Sequence, residues 1–344
     1  MEIFLGPELP GASQPLLPHL WSTFFLVVPL VSTTFASFQR MFGAMPANSL
    51  GWLFIDEAGQ AVPQAAVGAI SKTKRAVVVG DPMQLEPIVS LHGVITQAIC
   101  EHYNISPSAY TAPNTSVQHL ADRASSYIGE LHKPHKRSVG VPLLVHRRCE
   151  RPMFCISNAV AYGGQMVWSR GKKESKIRGV LGDSQWIHTV GNTDGHWCEQ
   201  EGECVIDLLS QLVERRVNLD LYIMTPFSKV AENLRRLIIH SGVLKGCMAE
   251  SSARGRWVNT HVGTVHTAQG AEAEAVILVL GAPGDSQGGA RGWAGEKPNL
   301  LNVAVSRAKE VLYVVGNRDL WKHAGHFDLL ARRLDQPVSV AANN

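Results

Sequence analysis

Short apolar runs alternate with amphipathic stretches along most of the chain. Apolar runs bounded by polar or turn-forming residues predict buried strands, at residues 24–31, 50–55, 76–79, 221–224, 275–280 and 311–315. Apolar residues at helical spacing predict helices at 60–70, 202–213 and 228–240. Strands that alternate with helices form βαβ units, so the predicted fold class is α/β with a parallel sheet covered on both faces.

Breaks in this pattern divide the chain. Residues 100–140 bring Pro, Ser, Asn and a basic cluster, and we place a domain boundary there. The predicted segments are an irregular lead-in at 1–20, a first domain at 21–135, a second domain at 136–335 and a loose tail at 336–344. The polar, basic segment 170–178 is interpreted as a solvated loop, with a nucleic-acid contact as the alternative.

The composition is typical of a globular protein, with 45% apolar and 18% charged residues among 344. A net charge of +3 permits a nucleic-acid partner and suits a metabolic enzyme equally. The six cysteines form no CxxC pair, which predicts free thiols in a reducing cytoplasm. The run at 24–31 is too short to span a bilayer, and Glu2 stands where a signal peptide carries positive charge. We therefore expect a cytoplasmic protein without a membrane partner.

Two carboxylates, Asp56 and Glu57, follow the apolar run at 50–55 directly. Ligands of open α/β sheets bind at the carboxyl ends of strands. A nucleotide-hydrolysing site needs one carboxylate to hold Mg²⁺ through its water shell and another group to position the attacking water, and Asp56 and Glu57 suit these two roles. The pair alone also fits a strand that ends in solvent. A second polar loop, GDPMQLEP at 80–87, follows the next strand, and two such loops at one sheet edge predict a site.

Further motifs follow in a fixed order along the chain. DEAGQ at 56–60 and GDPMQLEP precede VHRRC at 145–149, TPF at 225–227, GTVHTAQGAE at 263–272 and LNVAVSRAK at 301–309. Together they resemble the Upf-like branch of the superfamily 1 helicases, whose segments read DEA, GDxxQLxP, QGxE and LNVAxTRA. The resemblance implies a parallel-sheet, RecA-like P-loop NTPase fold, with one partial and one complete RecA-like domain. It also implies ATP and Mg²⁺ as cofactors.

The resemblance assigns a role to individual residues. Arg148 and Arg307 are expected to stabilise charge on the γ-phosphate, and Gln84 to sense that phosphate or the attacking water. Glu272 is expected to accept hydrogen bonds from the ribose hydroxyls of an ATP bound between the two domains. The remaining nucleotide-binding positions are Gly80, Asp81, Gln269 and Gly270.

A second group of residues resembles the positions that hold a single strand of DNA or RNA. Their hydroxyls and backbone amides contact successive phosphates, which positions a strand without reading its sequence. The group comprises Thr33, Thr34, Thr225, Pro226, Thr264 and His266.

The chain departs from the family pattern in its phosphate-binding loop, because no GxxxxGK[ST] motif occurs. The Gly171-Lys172 pair is followed by Lys173 and lies in the second predicted domain. We therefore expect a fragment, a frameshifted product, or one part of a split protein whose separately encoded upstream half carries this loop. A milder departure is His146 in place of glutamine, which can hydrogen-bond in the same position.

Two functions remain open on the sequence. The first is an ATP-dependent helicase that couples hydrolysis to movement along single-stranded DNA or RNA, truncated and inactive alone. The alternative is a non-catalytic nucleic-acid-binding or interaction protein derived from a helicase. A metal-dependent nuclease is disfavoured because no further cluster of carboxylates and lysine accompanies Asp56 and Glu57.

Overall fold

The computed structural model of the protein describes residues 16–89, 91–131, 137–171, 173–268 and 270–335. The chain forms two compact units. The first unit comprises residues 1–129 and 138–141, and the second unit comprises residues 130–137 and 142–344. In the part of the chain that is described, no helix combines the length and the apolar character that crossing a membrane requires.

The first unit is mainly helical around one short parallel pair of strands. Its elements are α1 (Leu17–Val27), α2 (Phe35–Phe42), β1 (Leu50–Ile55), α3 (Pro63–Ser71), β2 (Thr73–Val78), α4 (Gly93–His102), α5 (Pro107–Tyr110) and α6 (Val117–Ala124). Strands β1 and β2 pair in parallel, with Leu50 opposite Thr73 and Ile55 opposite Val78. Strands β3 (Gly129–Leu131) and β4 (Arg137–Val139) follow.

The strand predicted at 24–31 is wrong, because helix α1 continues to Val27 and the residues after it form no regular element. An apolar run alone does not distinguish a strand from a helix. The first half of the helix packs into the core of the first unit, where the ring of Trp21 lies 4.6 Å from that of Phe42. The helix also begins at Leu17, inside the segment predicted to be irregular; residues 1–15 lie outside the described residues.

The strand predicted at 50–55 has the expected bounds, but the prediction that it is buried is wrong. Trp52 is 57% exposed and Phe54 is 63% exposed. Side chains two residues apart share a face of a strand, and these two rings lie 6.2 Å apart. The exposure of both rings shows that this face of the sheet is open within the part of the chain that is described. The helix predicted at 60–70 is confirmed as α3, which begins at a proline suited to a first helical turn.

The second unit contains a five-stranded sheet with helices between its strands. Its elements are β5 (Val145–His146), α7 (Met153–Ala161), β6 (Val167–Trp168), α8 (Lys176–Leu181), β7 (Gln185–His188), β8 (Thr193–Asp194), β9 (Trp197–Cys198), α9 (Glu199–Glu214), β10 (Leu221–Thr225), α10 (Ser228–Ser241), α11 (Ser251–His261), β11 (Val262–Thr264), β12 (Ala273–Val279), α12 (Gly288–Glu296), α13 (Pro298–Ser306), β13 (Ala308–Gly316), α14 (Arg318–Trp321) and α15 (Phe327–Leu334). Short 3₁₀ turns lie at Val243–Gly246 and Asp285–Gln287.

The strand order of this sheet is β11-β10-β12-β13-β7, and every neighbouring pair is parallel. Nearly every side chain of β12 and β13 is buried, which fits strands covered on both faces. The strands predicted at 221–224, 275–280 and 311–315 and the helices predicted at 202–213 and 228–240 are confirmed. The predicted α/β class with a parallel sheet is therefore the observed fold class.

Candidate functional site

The acidic turn after β1 has an unusual backbone. Glu57 adopts a φ of 52°, a left-handed conformation that non-glycine residues rarely take and that recurs at functional sites. Asp56 Oδ1 accepts a hydrogen bond of 2.9 Å from the backbone N–H of Glu57. Gln60 Nε2 donates to Glu57 Oε2 over 2.9 Å. Both carboxylates of the turn are therefore oriented by a hydrogen bond, and Asp56 is the more exposed of the two at the strand end.

The two motifs of the first unit meet at a pair of glycines. A Cβ on Gly80 would lie 2.6 Å from the backbone N of Gly59, and one on Gly59 would lie 2.7 Å from the carbonyl oxygen of Asp81. Only glycine fits at such an approach of two backbones. Ala58 N also donates to Val79 O over 2.9 Å. The structure thus brings the DEAGQ and GDPMQLEP loops together, as their places after neighbouring strands predict.

The second of these loops closes on its own aspartate. Asp81 Oδ1 accepts from the backbone N–H of Met83 over 2.9 Å, and Asp81 Oδ2 accepts from Gln84 Nε2 over 3.0 Å. The side chain of Gln84 is therefore oriented by Asp81. Within the described residues, no group of three or more His, Cys, Asp or Glu side chains forms a metal site. A magnesium ion would need only Asp56, because the remaining ligands come from phosphate and water.

A basic cleft of about 610 Å³ lies in the second unit. Five of its eight lining residues are Arg or Lys and one is a glutamate. The cleft is lined by Arg147, Arg148, Ser169, Arg170, Gly171, Lys173, Glu272 and Lys309. Such a surplus of fixed positive charge favours a phosphate-bearing ligand.

Glu272 is bound by two cations in this cleft. Arg148 Nε lies 3.0 Å from Glu272 Oε2, and Lys309 Nζ lies 2.9 Å from Glu272 Oε1. The hydrogen bond and charge of Lys309, together with the charge of Arg148, lower the pKa of Glu272 below its ordinary value. The glutamate is therefore a charged hydrogen-bond acceptor at neutral pH, as recognition of ribose hydroxyls requires.

Arg307 lies behind the loop that carries Glu272. Its side chain is buried, and Nη1 donates to the carbonyl oxygen of Ala271 over 3.2 Å. Of the other predicted nucleotide-binding residues in this loop, Gly270 is exposed with a φ of 80°, and Gln269 lies outside the described residues. The structure thus brings Arg148, Glu272 and Arg307 into one neighbourhood, with Arg307 holding the backbone of the loop.

His146 makes a hydrogen bond that a glutamine oxygen could also make. The backbone N–H of Cys149 donates to His146 Nε2 over 2.9 Å. Burial lowers the pKa of His146 to about 4, with further contributions from the charges of Arg148 and Arg170. The ring is neutral at pH 7 and its Nε2 accepts, so the segment around Arg148 keeps its shape despite the departure from the family pattern.

The interpretation of segment 170–178 as a solvated loop is wrong for Arg170, whose side chain is only 7% exposed. Arg170 pairs with Glu310 of β13 and donates to the carbonyl oxygen of Lys309. Helix α8 begins within the same segment. The prediction of site residues omitted Arg147, Arg170, Lys173 and Lys309; the run RGKK and the lysine after SRA are the signals that could have indicated them.

Two of the residues that are predicted to contact single-stranded nucleic acid are neighbours in the β-sheet. Thr225 ends β10, Thr264 ends β11, and the two are paired in register. Thr225 is buried and its Oγ1 accepts from the backbone N–H of Phe227 over 3.3 Å. Thr264 is half-buried, Pro226 is buried, and His266 is exposed. Desolvation of part of the ring lowers the pKa of His266, which favours its neutral form at pH 7.

Thr33 and Thr34 belong to the first unit. Thr34 Oγ1 accepts from the backbone N–H of Ser37 over 3.3 Å and so forms the N-terminal cap of α2. Thr33 is exposed beside it. A capping role accounts for Thr34 locally, whereas the hydroxyl of Thr33 caps no helix and donates to the carbonyl oxygen of Thr34 over 3.5 Å.

The candidate residues of the second unit lie at opposite ends of the parallel strands of its sheet; the amino edge and the carboxyl edge are the sides of the sheet where these strands begin and end. Glu272 and Arg307 immediately precede β12 and β13, at the amino edge, whereas Thr225 and Thr264 end β10 and β11, at the carboxyl edge. Strand β12 has seven residues. At about 3.3 Å per residue the two edges lie on the order of 20 Å apart. Rigid, buried strands therefore connect the two groups.

Helicases are among the solved structures to which the chain is similar. The Arterivirus nonstructural protein 10 helicase, solved with DNA, is 12% identical with a TM-score of 0.36, and the match covers 79% of this chain and 41% of that one. The PRRSV helicase is 13% identical with a TM-score of 0.33, covering 77% and 34%. The C-terminal domain of a possible DNA helicase from Lactobacillus plantarum WCFS1 is 16% identical with a TM-score of 0.31, covering 53% and 95%. The chain thus spans less than half of each viral helicase. No curated protein matches it.

Two family models, each described as an AAA domain, match the chain. One covers residues 131–319, which is more than half of the 344 residues, and the other covers residues 23–91. The two matches contain the motif-bearing loops described above, from DEAGQ to LNVAVSRAK. The chain belongs to the Upf-like branch of the superfamily 1 helicases.

Proposed function

We propose that this protein is the motor portion of an ATP-dependent helicase that moves along single-stranded DNA or RNA. The observation that carries the proposal is Glu272 held between Arg148 and Lys309 in the basic cleft. A carboxylate beside several cations offers both kinds of partner that a nucleoside triphosphate needs, one for ribose hydroxyls and one for phosphates.

Nucleotide binding would exchange partners within this cluster. Arg148 and Lys309 would turn from the carboxylate of Glu272 to phosphate oxygens, and the carboxylate would accept from the ribose. Each group is half-exposed and can reach a ligand without leaving a buried charge unpaired. To stabilise charge on the transferred phosphate as a second arginine, the buried side chain of Arg307 would have to leave the carbonyl oxygen of Ala271 when the nucleotide binds.

The acidic turn supplies the hydrolytic groups of the proposal. A bound magnesium ion neutralises phosphate charge, and Asp56 would hold it through water. Glu57, fixed by Gln60, would orient the attacking water, and Gln84, oriented by Asp81, would contact the γ-phosphate or that water. Gly80 permits the close approach of the two loops that these roles need.

The carboxyl ends of the strands in the five-stranded sheet would hold the single-stranded nucleic acid. Thr264 and His266 offer a hydroxyl and a neutral imidazole, and the buried Thr225 and Pro226 shape the backbone beside them. Thr33 and Thr34 would provide the corresponding contacts in the first unit. Contacts of this kind go to phosphates, so they suit movement along a strand of any sequence.

Nucleotide binding tests the first part of the proposal. A fluorescent ATP analogue is titrated against the protein and against Arg148→Met and Lys309→Met, which keep side-chain length and lose charge. We expect each variant to weaken binding about tenfold or more, because a charged hydrogen bond contributes roughly 1.5–3 kcal/mol. Arg236→Met is the matched control, since Arg236 lies exposed on α10 with Glu232 as its partner. Equal affinity of all four proteins would contradict the proposal.

Hydrolysis is measured separately, as phosphate release with and without a single-stranded oligonucleotide. The expected result is strand-stimulated release that Glu57→Gln abolishes. A second candidate function is strand binding without hydrolysis, favoured by the absence of a GxxxxGK[ST] motif from the sequence. The second candidate would be supported over the first if the protein binds the oligonucleotide with an affinity that ATP does not change and releases no phosphate.

A further inference from the structure

Three aromatic side chains form a cluster at the carboxyl edge of the second unit's sheet. The ring of Phe227 lies 4.3 Å from that of His196 and 6.1 Å from that of Trp293. Phe227 is buried and His196 is half-buried, whereas Trp293 is 55% exposed. We call His196, Phe227 and Trp293 the aromatic cluster. The cluster extends from the buried ring of Phe227 to the surface, where more than half of the Trp293 side chain is exposed to solvent.

The cluster lies where the strand order of the sheet reverses. The chain leaves β10 toward β11 on one side, and it leaves β12 toward β13 on the other. In open α/β sheets, ligands bind outside the carboxyl ends of strands at such a reversal. Phe227 follows β10 and Gly281 follows β12, and a Cβ on Gly281 would lie 3.4 Å from the Phe227 ring. The two loops at this reversal therefore lie against each other at the aromatic cluster.

Trp293 is carried by a helix that is anchored on both sides of it in sequence. In the middle of the helix Arg291 donates to the carbonyl oxygens of Ala282 and Gly284, over 2.7 and 2.6 Å. Near the end of the helix the backbone N–H of His326 donates to Gly295 O over 3.0 Å. These bonds fix the backbone that carries Trp293 before any ligand arrives, which reduces the entropy lost on binding.

The cluster also adjoins, in sequence and in space, residues that are predicted to contact single-stranded nucleic acid. Phe227 follows Thr225 and Pro226 directly, and its backbone N–H is bonded to Thr225 Oγ1. A single exposed tryptophan is common on protein surfaces. This one differs in its position at the reversal of strand order, in the anchored helix that carries it and in its continuity with the loop that is predicted to contact phosphates.

We propose that Trp293 stacks on a nucleobase of the bound single strand, while the neighbouring threonines hold its phosphates. The proposal rests on the proposed function and names the part of the nucleic acid that this face of the protein contacts. A flat indole offers an apolar surface to any base, so stacking adds affinity without sequence preference. The same strand would then be gripped at its backbone and at one base.

Strand affinity of the full chain tests the proposal. Fluorescence anisotropy of a labelled single-stranded oligonucleotide is measured with the protein, with Trp293→Ala and with Trp293→Phe. We expect Trp293→Ala to weaken binding about tenfold, and Trp293→Phe to retain most of the affinity because it keeps an aromatic face. Trp52→Ala is the matched control: Trp52 is 57% exposed, lies in the first unit, and should not change the affinity.

Two further measurements separate stacking from a folding defect. The slope of affinity against salt concentration should be the same for Trp293→Ala and the unmodified protein, because no phosphate contact is lost. An oligonucleotide of abasic sites should bind both proteins equally, because it offers no base to stack.

The possible failures are distinguishable. Equal binding of the base-containing strand by the protein and by Trp293→Ala overturns the stacking proposal and leaves the proposed function standing. A loss on Trp293→Ala that persists with the abasic strand also overturns it. If the unmodified protein binds no single strand, the proposed function fails and the stacking proposal fails with it.

Discussion

Glu201, in the first turn of α9, is a carboxylate with no exposed surface. Its Oε2 accepts from the backbone N–H of Gly281 over 2.8 Å, next to the aromatic cluster. Burial raises the pKa of Glu201 to about 8 from an ordinary value of 4.5. Such a group favours the folded state in its protonated form. Its contribution to stability is complete below about pH 4.5 and is lost as the pH rises to about 8.

Replacement of Glu201 by Gln should therefore flatten the pH dependence of stability. Glutamine keeps the acceptor for Gly281 N–H and carries no charge, so the variant should gain on the order of a few kcal/mol over the unmodified protein at pH 8.5 and about nothing at pH 4.5. Urea unfolding at several pH values measures the difference. Glu232→Gln, on the exposed face of α10, is the control. If the free energy of unfolding depends on pH in the same way for the protein and for Glu201→Gln, burial does not raise the pKa of Glu201.

At the residue scale, motif order predicted which candidate residues lie near one another better than it predicted their hydrogen-bond and ion-pair partners. Arg148, Glu272 and Arg307 lie far apart in sequence, and the structure brings them together. That Lys309 binds Glu272, or that Arg170 is buried against Glu310, depends on how strands β12 and β13 lie beside the loop at 170. A local pattern of charge carries no such information, and on its own the run RGKK favours a solvated loop.

At the scale of elements, β1 shows what an apolar run can and cannot indicate. Its bounds follow from the run itself, but its burial depends on neighbours that lie elsewhere in sequence. Ile55 is buried, whereas Trp52 and Phe54 face the open side. In β12 and β13, by contrast, flanking strands and helices cover both faces, and the prediction of burial holds. For residues 24–31, apolar character fixed neither the element type nor its burial.

The open face of β1 leads to a prediction with adjacent residues. Ile55→Ala should destabilise the protein by about 2–4 kcal/mol, because it leaves a cavity beneath the strand. Phe54→Ala should cost less than about 1 kcal/mol, which is the range of strand propensity at an exposed position. Urea unfolding of the first unit, followed by the fluorescence of Trp21 and Trp52, measures both. Equal losses at the two positions would mean that the Phe54 face is covered in solution.

At the scale of the whole molecule, the five-stranded sheet is complete within the second unit. Its strands, from β7 to β13, and the helices between them all lie in residues 142–335. The buried residues of β10, β12 and β13 form an interior of the size that supports an ordinary domain. The basic cleft and the aromatic cluster both belong to this unit.

The second unit should therefore fold without the first. A fragment of residues 142–335 is expected to unfold cooperatively in urea, and Leu278→Ala, at a fully buried position of β12, should lower its stability by about 2–5 kcal/mol. Exposed Ile239 on α10 provides the control, since Ile239→Ala should change little. Gradual unfolding, insensitive to both substitutions, would show that the sheet needs the first unit. A cooperative fragment that also binds the fluorescent ATP analogue would place the affinity for nucleotide in Arg148, Glu272 and Lys309, independently of the acidic turn at Asp56 and Glu57.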